Sequence, residues 1–60
     1  MNKVGMRTRA FKDFEKHFVS LKDAVNQEDY QKQLIALSQA IEALQDAKKA
    51  TAGLAGGLLQ

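Results

Sequence analysis

The 60-residue sequence contains no cysteine, no proline and no tryptophan, and His17 is its one histidine. Without cysteine there is neither a disulfide nor a thiolate zinc site, two devices by which small domains make up for a thin core. A lone imidazole does not build a metal site, so no cofactor is expected. Without proline, nothing in the chain breaks a helix from within. Glycine is confined to Gly5, Gly53, Gly56 and Gly57. No apolar run of about 18 residues occurs, which speaks against a membrane-spanning helix. Lys3, Arg7 and Arg9 are not followed by the apolar core of a secretory signal. The expected location is therefore the cytoplasm of a producing or host cell, or a virion. An excess of one charge is also lacking: nine Lys and Arg against seven Asp and Glu leave +2, too little to demand nucleic acid.

What is present is helix-forming throughout: Ala, Leu, Lys, Gln and Glu dominate. No alternating strand pattern and no hairpin dipeptide is found. A first apolar series, Phe11, Phe14, Phe18, Leu21 and Val25, steps by three and four, the spacing of one helix stripe and of a coiled-coil seam. Arg7 takes the next seam position toward the N-terminus. A second series, Tyr30, Leu34, Leu37, Ile41 and Leu44, repeats the pattern, and Ala40 and Ala47 widen it with small side chains that admit a close neighbour. Between the series, Asn26 is suited to cap the second helix or to close the first, with Glu28 and Asp29 in the following turn. Glu28 and Lys32 are spaced as a helix ion pair. The expected fold is all-α: an antiparallel hairpin in one domain, helix 1 near 3–25, helix 2 near 28–52, and a flexible apolar tail over 53–60.

A lone chain of this size buries only about 60% of its unfolded surface. Two helices also share a single interface, which cannot cover Phe11, Phe14, Phe18, Leu21 and Val25 together with Leu34, Leu37, Ile41 and Leu44. Two hairpins packed as a four-helix bundle, or a larger helical oligomer, cover both stripes. These nine residues are the expected oligomer core, and the chain itself is the first expected partner.

The tail "ATAGLAGGLLQ" carries no charge. Its glycines each cost up to about 1 kcal/mol in a helix relative to alanine. Leu54, Leu58 and Leu59, with Gly53 and Gly57 permitting close approach, form the expected docking segment for the oligomer or for a larger protein. An alternative site is basic: Lys3, Arg7, Arg9, Lys12 and Lys16 can follow phosphates, which makes the chain an RNA- or DNA-binding regulator. A membrane surface is the weakest partner reading. Glu42 and Asp46 share a helix face but have no nucleophile or third ligand near them in sequence, and no phosphate-binding or metal-ligand motif occurs. No catalytic residue is assigned.

The layout resembles that of the Rop family of dimeric helical hairpins that pair antisense RNAs. The likeness covers length, hairpin order and a basic, Phe-bearing first helix, and no shared motif. It implies that Lys3, Arg7, Phe14 and Lys16 face RNA. From the residues themselves, the expected function is non-enzymatic: self-association and docking on a larger partner, in the style of a phage or mobile-element virion component or a modulator of a host machine.

Overall fold

The computed structural model describes residues 3–59, with side chains through Gly56. Two helices, α1 (Lys3–Asn26) and α2 (Tyr30–Leu59), pack along their length into a rod of 47 × 14 × 14 Å. They run antiparallel: the Lys3 side chain lies against Gly53 at one end, and Gln33 bonds to Ala24 at the other. Every described residue outside 27–29 is helical.

The reversal is made by backbone bonds that close α1 before α2 begins. Glu28 N–H donates to the Val25 carbonyl and Asp29 N–H to the Ala24 carbonyl, each at 3.0 Å. That pair of bonds is the Schellman closure, which needs one left-handed residue. Glu28 supplies it, with φ 56°. Asp29 then starts α2: its Oδ1 accepts the Lys32 N–H at 3.0 Å, and its carbonyl accepts the Gln33 N–H. Asp29 is thus the N-cap, and Asn26 takes neither role expected for it: it is the last residue of α1, and the left-handed position falls to Glu28. Lys32 also lies 4.0 Å from Asp29 Oδ2, so it pairs with the cap instead of the expected Glu28.

The interface departs from the expected stripes. On α2 the side chains facing α1 are Ala36, Ala40, Ala43, Ala47 and Ala50, and on α1 they include Ala10 and Ala24. These seven alanines, 3–6% exposed, are the buried apolar core of the described residues. The α1 seam steps through Arg7, Ala10, Phe14, His17, Leu21 and Ala24, of which Arg7, Phe14, His17 and Leu21 are half-buried. Phe14 and Leu21 therefore sit at the seam, as expected, whereas Phe11, Phe18 and Val25 lie beside it and are exposed. Leu34, Leu37, Ile41 and Leu44 are likewise exposed.

The reason is length and size. The leucine stripe of α2 ends at Lys48, but the alanine stripe runs from Ala36 to Ala50 and on to half-buried Leu54, matching the whole of α1. Methyl groups at every step let two helix axes approach toward the lower end of the usual range of about 8–10 Å.

α2 also continues to Leu59, past the expected end near residue 52. The seam persists there although helix propensity falls. At Gly53 a Cβ would stand 3.1–3.3 Å from Lys3 Cδ, Cε and Nζ, so the glycine leaves room for the lysine stem to cross α2. Among the described residues, no helix is long and apolar enough to cross a membrane.

Candidate functional site

An antiparallel seam has two flanks. Residues four after Arg7, Phe14 and Leu21 on α1, and four after Gln33 and Ala40 on α2, fall on the same side of the hairpin, because reversing one helix brings like flanks together. On α1 that flank carries Val4, Phe11, Phe18 and Val25. On α2 it carries Leu37 and Leu44, broadened outward by Leu34 and Ile41 and extended to the turn by Tyr30. All nine are 41–72% exposed. Both apolar stripes therefore open onto one face of the rod.

The opposite flank is polar. Asp13 and His17 of α1 line a shallow groove with Gln39, Glu42 and Asp46 of α2. Nearer the chain termini, Lys3, Met6 and Arg9 line an open groove of about 670 Å³ with Asp13, Asp46 and Lys49. These two groups of lining residues fix the polar flanks of both helices on one side, which leaves the other side to the apolar stripes.

Two ring contacts order the apolar face. Phe14 and Phe18 stack with centroids 5.8 Å apart and planes at 16°. Lys22 places its Nζ 5.2 Å from the Phe18 centroid, a cation–π contact. Phe14 is the half-buried base of this stack and Phe18 its exposed top. Tyr30, the first residue of the second apolar series, is 72% exposed at the turn.

The energetic consequence is an inversion of the usual arrangement. A buried methyl contributes at most about 0.8 kcal/mol, whereas full burial of a Val, Leu, Ile or Phe side chain contributes about 1.5–3 kcal/mol. The hairpin keeps its small groups inside and leaves its large ones half in water. Met6, Val19 and Ile35 are also exposed but lie off this face.

The other expected sites fare differently. Of the tail residues, Gly53 lies beneath Lys3 and Leu54 is half-buried at the end of the seam. Gly57, Leu58 and Leu59 lie outside the residues whose side chains are described. The basic set is split. Lys3 and Arg7 belong to the seam, while Arg9, Lys12 and Lys16 point to the outer and polar sides of α1, so Lys3, Arg7, Phe14 and Lys16 do not form one face. Arg9 instead lines the same open groove as Lys49. Glu42 and Asp46 line the polar groove with Asp13 and His17, a juxtaposition across helices that spacing along α2 alone does not reveal. Among the described residues, no three His, Asp or Glu side chains gather in a metal-holding arrangement.

No protein-family model matches the chain, and neither a curated protein nor a solved structure is significantly similar to it.

Proposed function

We propose that this protein is a non-catalytic assembly module: a helical hairpin that self-associates through the face carrying Phe11, Phe18, Leu37, Ile41 and Leu44, and acts by protein–protein contact. One observation carries the reading, the segregation of nine large apolar side chains onto one exposed face above a core built of alanine. The largest apolar patch of an ordinary monomer covers about 300–600 Å² and is itself often an interaction site. The rod projects 47 × 14 Å, so this face alone has a footprint of roughly 650 Å². That footprint approaches the value of about 800 Å² per partner typical of stable interfaces.

Sedimentation equilibrium over a wide concentration range tests the proposal. The expected mass is at least twice the 6.6 kDa of one chain. A folded, concentration-independent single chain overturns it.

A second reading has its own observation. Lys3, Arg9 and Lys49 line one groove at the open end of the rod, which favours an anionic ligand such as RNA or DNA. It requires binding that weakens steeply with salt and disappears when Arg9 and Lys49 are both replaced by alanine.

A further inference from the structure

The charges of the hairpin are sorted along the rod. Lys3 lies level with Gly53, and Ala24 with Gln33, so residues 3–14 of α1 share one half of the rod with α2 from Ala43 onward. That open half holds six cations (Lys3, Arg7, Arg9, Lys12, Lys48, Lys49) and two carboxylates (Asp13, Asp46), a net of +4. The turn half holds three lysines against five carboxylates, a net of −2. The two halves together restore the +2 of the chain.

We infer that the occupant of the apolar face is a second copy laid down in the opposite direction, each open end over the other's turn. This rests on the self-association proposed above and adds its geometry. A parallel arrangement sets +4 beside +4 and −2 beside −2; the reversed one sets +4 beside −2 twice. At about 15–20 Å in water, and with a Debye length of about 10 Å at 0.1 M salt, the summed difference favours the reversed arrangement by roughly fivefold to fortyfold. The preference shrinks as salt rises, while the apolar attraction does not.

Side-chain order agrees. The α1 flank reads Val4, Phe11, Phe18, Val25 at seven-residue steps, the same sequence of sizes in either direction. A two-fold axis across the rod lays α1 on the partner's α1. Phe11 of each copy then meets the partner's Phe18, and Val4 meets the partner's Val25, while on α2 the same axis passes close to Ile41, which lies beside its own copy. Along α1 each layer joins residues of like volume, which close packing requires, and the arrangement is self-complementary as a two-fold dimer demands.

The absence of cysteine makes the test simple. Gln27 is exposed at the turn, so Gln27→Cys gives one site for a nitroxide label, and pulsed dipolar spectroscopy reads the separation between copies. The rod is 47 Å long, so the reversed dimer places the labels about 40 Å or more apart. Side-by-side turns place them about 20 Å apart, the spacing of neighbouring helices plus linkers. The long distance is expected. A short distance at dimer mass overturns the orientation and leaves self-association standing; absence of dipolar modulation at monomer mass overturns both. In the double variant Lys48→Glu, Lys49→Glu the open half falls to zero net charge, and a short-distance population should appear. Its failure to appear removes charge as the cause of the orientation.

Discussion

The side-chain amide of Gln33 donates from Nε2 to the carbonyl oxygen of Ala24, 3.3 Å away. The same oxygen accepts the Asp29 N–H. One carbonyl at the end of α1 thus receives both the closing bond of that helix and a bond from the first turn of α2, so the turn fixes the distance and rotation of α2 relative to α1. Three substitutions test this joint. Asp29→Ala removes the cap and should cost about 1 kcal/mol. Gln33→Ala should cost less, about 0.5–1 kcal/mol, because Ala24 keeps its backbone partner. Glu28→Gly should stabilise by up to about 1 kcal/mol, since φ 56° suits glycine. Urea unfolding followed by circular dichroism reads all three, at one fixed chain concentration because association shifts apparent stability.

The alanine seam should tolerate no enlargement. Ala43 is 5% exposed at mid-seam, and Ala43→Leu forces the helices apart, with an expected loss of about 1–3 kcal/mol. Its neighbour Leu44, 45% exposed in the hairpin, provides the contrast. Leu44→Ala should cost little if the face stays in water, but about 2–5 kcal/mol if the face is buried between copies. Thermal melts of both variants, at concentrations above and below assembly, separate the two interfaces.

A charge placed on the apolar face should dissolve the assembly. Phe18→Glu or Ile41→Lys is expected to return the mass to that of one chain, because an unpaired buried charge costs several kcal/mol. Gln39→Lys, on the polar flank, is the control and should leave the mass unchanged. Light scattering coupled to size exclusion distinguishes these outcomes, and a Phe18→Glu variant that still assembles at full mass would remove this face from consideration.

The two described tail glycines should respond unequally. Gly56 has open space where a Cβ would stand, so Gly56→Ala should raise stability by up to about 1 kcal/mol through helix propensity. At Gly53 the new methyl meets the Lys3 stem at 3.1 Å. The lysine can yield by a few tenths of an ångström, so Gly53→Ala should gain less. Equal gains at both positions contradict the crossing of Lys3 over α2. Hydrogen exchange of the last turns of α2 provides a local measure.

Much of this molecule was legible in its residues. The absence of proline and the three-and-four spacing of Phe11, Phe14, Phe18 and Leu21 determined two helices, because period follows directly from backbone geometry. The polar NQED segment located the bend, and Arg7 was rightly placed on a seam. That the large apolar residues exceed what one mutual interface can cover was also a counting argument available from sequence. Which stripe faces the partner helix was not legible, because Ala36, Ala40, Ala43, Ala47 and Ala50 carry too little hydrophobicity to outweigh Leu34, Leu37, Ile41 and Leu44 in any periodicity. The choice belongs to tertiary structure: close approach along the full length of α1 depends on side-chain size and stripe length on both helices at once. The same rotation of each helix brought both large apolar stripes to one face and gathered Arg9 and Lys49 at one end, relations that exist only after the two rods are set side by side.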